Sequence, residues 1–337
     1  MTPTRRDFAA FGLAAPMAWG LGGSARAVAR DPLVIAPGAG TADVPEGTAG
    51  AFDLAIRDGA DFIAADFTPT KDGVLVALPD HELSALTDVA TRPEFALRKQ
   101  THTVDGEDRT GWFAEDFTLA ELKTLIRGGP GARRRGGAVV AHAILTFEEI
   151  VGIARAGSIR TARVVGVDAG LSHAAYFAGL DMTIEAMLAG AIRVAGYDSP
   201  AAAMFVRSGD PASLKSVGEL TRARRVVGLG PKDDASPDGL KAIRAYAEVV
   251  APAPGVLLDL ANPKAIEPTA VIADAHGAGL AVHAWTLGDA WPGPPFKASD
   301  AERLLAALYA ADADAVAGAP AAVVARARAN ALAHAKR

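Results

Sequence analysis

Two aspartates and one histidine have the residue types and positions that could support chemistry in this sequence. Asp66 and Asp168 each fall at the end of a short apolar run, and His283 falls within another. Because alternate residues of a strand share a face, Asp66 points the same way as Ala64, and Asp168 the same way as Gly166. If both carboxylates face one cavity, they could hold Ca²⁺ or Mg²⁺ weakly.

A bound cation is nevertheless not the preferred interpretation of this pair. Hard cations require several oxygen ligands at once, and two carboxylates rarely complete such a site. We therefore expect no bound cofactor. We expect Asp168 to be solvated or paired with an arginine, and Asp66 to have no role in chemistry.

Two further side chains, together with His283, are candidates for lining a pocket. Glu46 precedes a helical segment and is expected to cap it, because acidic groups are stabilised in a first helical turn. Trp285 either stacks on a ligand or fills the cavity, and the sequence favours neither. His283 is expected to be a hydrogen-bonded structural histidine, since the histidines lack a metal-ligand spacing such as His-x-x-x-His.

Composition excludes several other kinds of site. The 337 residues contain no cysteine, which rules out disulfides, thiol nucleophiles and cysteine-bound metals. The formal net charge is −5, and the basic run Arg133-Arg134-Arg135 lies between glycines without interleaved aromatic residues. No nucleic-acid partner is therefore expected. No Gly-x-Ser-x-Gly nucleophile motif occurs.

Short apolar runs alternate with helical segments along most of the chain, and these elements must position the candidate residues. Alternation of this kind predicts a parallel sheet with helices outside it. About eight such units in one chain favour an α/β fold of the TIM (β/α)₈ barrel type. Residues 88–137 are polar and glycine-rich, and we interpret them as an excursion from the barrel. A dinucleotide site has little support, because Gly38-Ala39-Gly40 lacks the third glycine.

Residues 1–27 resemble a twin-arginine export signal. Arg5 and Arg6 precede an apolar run, and small residues then lead to a cleavage site at Ala27. The apolar run is shorter than the about 20 residues that a membrane span needs. Residues 28–337 are expected to form one barrel domain in the periplasm or outside the cell, with no membrane span after cleavage.

Several short motifs follow one another in a specific order. They are Val34-Ile35-Ala36, Pro45-Glu46-Gly47-Thr48, Thr70-Lys71-Asp72-Gly73, Leu78-Pro79-Asp80-His81, Thr146-Phe147-Glu148-Glu149 and His283-Ala284-Trp285-Thr286. In this order they resemble the glycerophosphodiester phosphodiesterase family, in particular its bacterial periplasmic members. The resemblance implies a TIM barrel that cleaves glycerophosphodiesters to glycerol 3-phosphate and an alcohol. It also implies two histidines and a divalent cation at the strand ends.

The positions that would carry this chemistry are substituted. Pro37 and Gly38 stand where the family has the first histidine and an arginine, and Pro79 stands where it has the second histidine. Ala64 and Gly166 stand where it has glutamate ligands to the cation. No catalytic residue is therefore retained at its family position, and each lost proton-transfer group typically accounts for about 10²–10⁴ in rate.

Three functions remain open on the sequence. The leading hypothesis is an inactive, exported member that binds a small molecule or a partner protein through the altered barrel mouth. The alternative is an active phosphoric diester hydrolase with relocated groups, for which Asp66, Asp168 and His283 would have to converge on one pocket. The third is a stable fold that has lost its function.

Overall fold

The computed structural model describes residues 31–38, 44, 46–127, 142–261, 266–285, 300–318 and 320–335. The predicted export signal, with Arg5, Arg6 and Ala27, lies outside these residues, as does the run Arg133-Arg134-Arg135. None of the helices within the described ranges is both long and apolar enough to cross a membrane.

Thirteen strands are found in the described chain. They are β1 (Leu33–Pro37), β2 (Phe62–Pro69), β3 (Leu75–Ala77), β4 (Gln100–Val104), β5 (Glu107–Gly111), β6 (Gly166–Leu171), β7 (Met204–Ser208), β8 (Arg224–Leu229), β9 (Val249–Pro252), β10 (Leu258–Asp259), β11 (Glu267–Pro268), β12 (Ala281–Trp285) and β13 (Ala315–Ala317).

Eight of these strands form a closed parallel barrel. Their order is β1-β13-β12-β9-β8-β7-β6-β2, and the pairing of β1 with β2 closes the ring. Strand β3 pairs antiparallel with β2 at the rim. The predicted TIM barrel is confirmed.

Helices surround the barrel. They are α1 (Ala49–Arg57), α2 (Leu119–Leu122), α3 (Phe147–Thr161), α4 (Ala174–Ala178), α5 (Ile184–Val194), α6 (Pro211–Leu220), α7 (Pro237–Ile243), α8 (Pro254–Leu257), α9 (Val271–Gly277), α10 (Ala301–Ala310) and α11 (Ala321–Ala335), with 3₁₀ turns at Val89–Thr91, Pro93–Arg98 and Ala114–Asp116.

Alternation along the strands divides the core into two layers. On β2, Ile63, Ala65 and Phe67 pack outward against the helices, whereas Phe62 and Ala64 face the barrel interior. The interior layer is completed by apolar side chains of the other strands, among them Ile35, Phe205, Val226, Val249 and Ala315. The inward-facing residues nearest the carboxyl ends of the strands therefore line the barrel mouth.

Local signals in the sequence fix where the helices begin. The Thr146 hydroxyl accepts a hydrogen bond from the Glu149 amide (3.2 Å), and the Glu149 carboxylate accepts one from the Thr146 amide (2.8 Å). This reciprocal capping box starts α3. Helix α1 begins later than expected from Glu46. Its cap is Thr48, whose side chain accepts from the Ala51 amide, so the capping role predicted for Glu46 is wrong.

The described part of the chain between β3 and α3 forms a small layer with its own core over the barrel rim. Its buried apolar side chains include Leu83, Phe95, Phe117 and Leu122. Strands β4 and β5 form a hairpin whose turn residues Asp105 and Gly106 both have positive φ (50° and 88°), as a tight two-residue hairpin requires. The predicted excursion is thus a folded element as far as residue 127, where the described part of it ends.

Candidate functional site

The barrel mouth lies at the carboxyl ends of the parallel strands, where three neighbouring strands carry charged or glycine residues at one level. Asp66 of β2 is in register with Gly170 of β6, and Gly170 is in register with Arg207 of β7. Asp168 lies one inward-facing position deeper, level with Ala64. The two aspartates and the arginine therefore project into the same end of the barrel.

Arg207 joins both aspartates. Its Nη2 donates to Oδ1 of Asp66 at 2.7 Å, and its Nε donates to Oδ1 of Asp168 at 3.1 Å. The guanidinium carbon also lies 4.1 Å from the ring centroid of Trp285, in cation–π geometry. We call these four residues the Arg207 cluster. Asp168 is thus paired with an arginine, as the preferred interpretation of the sequence required.

Gly170 makes this arrangement possible. A β-carbon at Gly170 would collide with Oδ1 of Asp66 and lie 2.6 Å from Nη2 of Arg207. Because the strand between them carries no side chain at this level, Arg207 can reach across it from β7 to Asp66 on β2.

Burial sets the charge state of the Arg207 cluster. Asp168 is fully buried, which raises the pKa of its carboxyl group, while the charge and hydrogen bond of Arg207 oppose that rise. Burial lowers the pKa of the Arg207 guanidinium, but the two carboxylates more than compensate and raise it above its ordinary value. Arg207 is therefore a permanent cation between the two acidic groups.

A divalent cation of the kind that the family resemblance implies does not fit this site. The guanidinium already occupies the space between Asp66 and Asp168. Across the described ranges, no group of three or more histidine, aspartate or glutamate side chains is arranged to hold a metal ion. Hard cations need more oxygen ligands than these two aspartates supply.

Most of the substituted family positions lie around the same mouth, whereas Gly166 begins β6 at the opposite end of that strand. Pro37 ends β1, in register with Ala64, and Pro79 lines the cleft described below. Gly38 lies against Phe52, whose ring a β-carbon would approach to 2.8 Å. Gly166 is level with Phe62, two inward-facing positions below Asp66, where a β-carbon would collide with the Phe62 ring. None of these positions offers a titratable group.

His283 lies deeper in the barrel than the Arg207 cluster. Its ring packs edge-on against Phe205, with centroids 4.8 Å apart, and is 1% exposed. Burial lowers the pKa of His283 to about 3, so the imidazole is neutral. Its Nδ1 has no hydrogen-bond partner among the described residues. The structure brings Asp66 and Asp168 together but leaves His283 below them, packed on an aromatic ring.

Glu46 lies outside the cleft described below, whereas Trp285 lies at the barrel mouth. Glu46 is exposed on the loop before α1. Burial lowers the pKa of the Arg127 guanidinium below its ordinary value, and the negative charge of Glu46 partly opposes this shift. Trp285 packs against Arg207 at the mouth, and both roles that the sequence left open, ligand stacking and filling of the mouth, stay predictions.

A cleft opens beside the Arg207 cluster. It covers about 240 Å³ when the open solvent at its entrance is counted, and its ionisable lining residues are Asp66, Asp80, His81 and His173. The enclosed part has room for little more than one water molecule. A ligand would therefore have to bind across the open surface of the cleft.

The excursion supplies the partners on the far wall of this cleft. The Nδ1 of His81 donates to Oε1 of Glu115 at 2.9 Å, and Arg109 donates to Oδ2 of Asp80 at 2.7 Å and to Nε2 of His81 at 3.4 Å. Burial raises the pKa of Asp80, but its hydrogen bonds, led by that from Arg109, lower it below the ordinary value. His81 is only 2% exposed.

A hydroxyl links this wall to the barrel helices. Tyr176 of α4 donates to Oε1 of Glu115 at 2.6 Å and lies 2.9 Å from Nδ1 of His102. The other ring nitrogen of His102 lies 3.1 Å from Asp116. Burial raises the pKa of the Tyr176 hydroxyl far above its ordinary value, so this hydroxyl stays protonated as a donor.

His173 completes the cleft from the barrel side. It caps α4 with φ of 56°, a left-handed conformation that costs energy outside glycine. Its Nδ1 bonds to Asp105, on the hairpin tip, at 2.6 Å, and its ring lies 5.1 Å from that of His81 between centroids.

Sequence reasoning missed Arg207, although a signal was present. The strand Met204-Phe205-Val206-Arg207 is apolar except for its arginine, and alternation places Arg207 on the inward face with Phe205. A charge facing a barrel interior requires a counter-charge. The partners in the excursion had no comparable signal, because Arg109 lies on the polar strand β5 and Glu115 in a 3₁₀ turn, neither of which has apolar alternation.

Comparisons with known proteins agree with this architecture. A model of the glycerophosphoryl diester phosphodiesterase family matches residues 39–311. Glycerophosphodiester phosphodiesterase GDPD6 of Arabidopsis thaliana is 30% identical over 276 residues, which are 72% of this chain and 71% of that protein.

Solved structures share the fold at lower identity. A glycerophosphodiester phosphodiesterase from Agrobacterium tumefaciens aligns with a TM-score of 0.59 at 20% identity, over 88% of this chain and 100% of that one. A phosphodiesterase from Oleispira antarctica, solved with the product sn-glycerol-3-phosphate, gives 0.58 at 19% identity, over 88% and 96%.

Proposed function

The chain belongs to the glycerophosphoryl diester phosphodiesterase family, and from this premise we propose that it is a non-hydrolytic member that binds a small polar molecule at the barrel mouth. One observation carries the proposal. Each ionisable side chain that lines the cleft already has a charged partner within the protein. The four pairs are Asp66–Arg207, Asp80–Arg109, His81–Glu115 and His173–Asp105.

These pairings argue against acid–base chemistry at the family positions. A general acid or base must reach the proton that it transfers, within about 2.6–3.2 Å of the reacting atom. Pro37 and Pro79 supply no such group. Hydrolysis of a phosphodiester would also need charge stabilisation, which in this family's chemistry is worth several kcal/mol when a metal supplies it.

The cleft is equally poor in free positive charge. Within the described residues, the arginines at its edge, Arg109 and Arg207, are both held by carboxylates. A phosphodiester anion would meet Asp66 and Asp80 at the cleft surface. Carboxylate oxygens accept hydrogen bonds, so a neutral or cationic ligand with hydroxyl or amine donors fits better than an anion.

Turnover measurements test the proposal directly. Purified protein incubated with glycerophosphocholine or glycerophosphoglycerol, with added Ca²⁺ or Mg²⁺, is expected to release no glycerol 3-phosphate above a protein-free control. The loss of two proton-transfer groups, each typically worth about 10²–10⁴ in rate, is the reason. Hydrolysis that Asp66→Asn abolishes would refute the proposal.

Hydrolysis by relocated groups is the second candidate function, and one observation favours it. His81 and His173 are neighbouring imidazoles, each oriented through Nδ1 by a carboxylate, as general bases often are. If turnover is observed, His81→Ala and His173→Ala should both abolish it. His276→Ala is the matched control, because His276 pairs with Asp314, which precedes β13 at the opposite end of the barrel.

We also propose that the protein is exported through the twin-arginine route. The support is the order of Arg5, Arg6, an apolar run and small residues before Ala27. Replacing both arginines with lysine is expected to keep the protein in the cytoplasm, as measured by fractionation of expressing cells. Unchanged export of that variant would contradict the proposal.

A further inference from the structure

We propose that the Arg207 guanidinium takes the place of a divalent cation at the barrel mouth, and that removing it would turn Asp66 and Asp168 into a divalent-cation site. The inference concerns cation binding and does not depend on whether the protein hydrolyses anything. It rests on the geometry, the burial and the unmet hydrogen-bonding capacity of the Arg207 cluster.

The geometry is that of a bridging cation. Two carboxylates on adjacent strands each place Oδ1 on one guanidinium, at 2.7 Å for Asp66 and 3.1 Å for Asp168. The cation is supplied by a third strand and reaches across Gly170, which carries no side chain. Trp285 covers the guanidinium from the other side at 4.1 Å.

The Arg207 cluster has a carboxylate oxygen without a hydrogen bond and an excess of negative charge. Both features favour a cation that carries more charge, or takes more ligands, than a guanidinium. Asp168 is fully buried, yet its Oδ2 has no hydrogen-bond partner within the part of the chain that the structure describes. An orphaned buried carboxylate oxygen is costly. One positive charge between two carboxylates also leaves a formal charge of −1 when both are ionised.

Removal of Arg207 would free both carboxylates and open space between them. The pocket would then hold two carboxylates and the volume of the lost side chain, with Asp66 still one-third exposed and open to solvent. The weakest protein sites for Ca²⁺ have dissociation constants of about 10⁻⁴–10⁻³ M, and two carboxylates completed by water ligands are expected at that weak end. A millimolar site is therefore the expected outcome.

A purely structural ion pair makes a different prediction. If Arg207 only neutralises buried carboxylates, its removal would destabilise the fold, and Asp168 would take up a proton without any gain in cation affinity. The response to cations, and not the loss of stability, therefore distinguishes the two cases.

The test uses terbium luminescence, because Tb³⁺ occupies Ca²⁺ sites and is sensitised by a nearby tryptophan. The wild-type protein is expected to give no sensitised emission beyond background. Arg207→Ala should give emission that saturates with Tb³⁺, is displaced by Ca²⁺, and is lost in Arg207→Ala combined with Asp66→Asn or with Trp285→Phe. Calcium should also raise the melting temperature of Arg207→Ala but not that of wild type.

Matched controls keep the outcome decisive. Arg225→Ala removes another arginine of the barrel strands, paired with Glu248 at 2.6 Å, and should gain no emission. If Arg207→Ala does not fold, Arg207→Gln keeps hydrogen-bond donors without the charge and should show the same gain. Emission from wild type that requires Asp66, or a folded Arg207 variant with no calcium-displaceable emission, would overturn the proposal.

Discussion

Replacing Arg207 with alanine is expected to lower the free energy of unfolding at pH 7 by about 3–5 kcal/mol, the cost of leaving a buried charge without its partner. Asp168 is fully buried and bonds to Arg207 at 3.1 Å. Chemical denaturation followed by circular dichroism would measure the difference. The effect is a large part of the about 5–15 kcal/mol that typically stabilises a domain.

The pH dependence of this loss identifies Asp168 as its source. Without Arg207, nothing opposes the burial that raises the pKa of Asp168. In the absence of a divalent cation the carboxyl would then fold in its protonated form, so the folded state binds a proton that the unfolded state at pH 7 lacks. Stability of the variant should therefore improve relative to wild type as the pH falls towards 5, by up to about 1.4 kcal/mol per pH unit.

Two comparisons check this assignment. Asp168→Asn combined with Arg207→Ala should recover much of the lost stability and remove the extra pH dependence, because the buried charge is gone. Arg225→Ala should cost only about 0–1 kcal/mol, since Glu248 is 30% exposed. A cost of that small size for Arg207→Ala would contradict the role assigned to the Arg207 cluster.

Acidification of the wild-type protein is expected to lower its free energy of unfolding because of His283. Its folded pKa is about 3, below the ordinary value of 6.5. Between these values the unfolded chain binds a proton that the folded chain does not. The contribution of His283 to stability is therefore complete above pH 6.5 and is lost as the pH falls towards 3, at up to about 1.4 kcal/mol per pH unit.

A substitution isolates this contribution from the other titrating groups. His283→Leu keeps an apolar side chain against Phe205, at a site where Nδ1 has no partner among the described residues. Below pH 6.5 the variant should become more stable relative to wild type, by as much as about 4–5 kcal/mol at pH 3. Parallel stability curves for the two proteins would show that His283 is protonated in the folded state.

His276 offers a control of opposite sign. Its hydrogen bond to Asp314 raises the pKa of His276 above the ordinary value. The stability that it contributes is therefore present at low pH and is lost as the pH rises through the folded pKa. His276→Gln should weaken the protein at acidic pH, whereas His283→Leu should strengthen it.

The architecture could be predicted from the sequence because it depends on local alternation. The sequence from 211 to 220 has a helical pattern and forms α6, and the apolar run from 280 to 285 forms β12 within one residue. Sequence patterns do not locate element ends that depend on tertiary geometry. The apolar run at 162–167, for example, forms a strand only from Gly166, because Ala162 ends α3 in a left-handed conformation with φ of 52°.

The site could be predicted only in part, because its contacts join distant segments. Asp66 and Arg207 are 141 residues apart in sequence, and His81 and Glu115 are 34 apart. Strand patterning indicated that Asp66 and Asp168 share the barrel mouth. It could not indicate that Gly170 leaves the gap through which Arg207 reaches Asp66, because that follows from the register of three strands.

The separate core of the excursion has a thermodynamic consequence. Its apolar cluster, with Leu83, Phe95 and Phe117, is distinct from the two layers of the barrel, and regions of this kind open as cooperative units of their own. Opening of this unit would withdraw Arg109 and Glu115 from the cleft while the barrel strands stay paired. The protein would then pass through a state with an intact barrel and only half of the cleft, so the affinity for the ligand proposed above would depend on the local stability of the excursion.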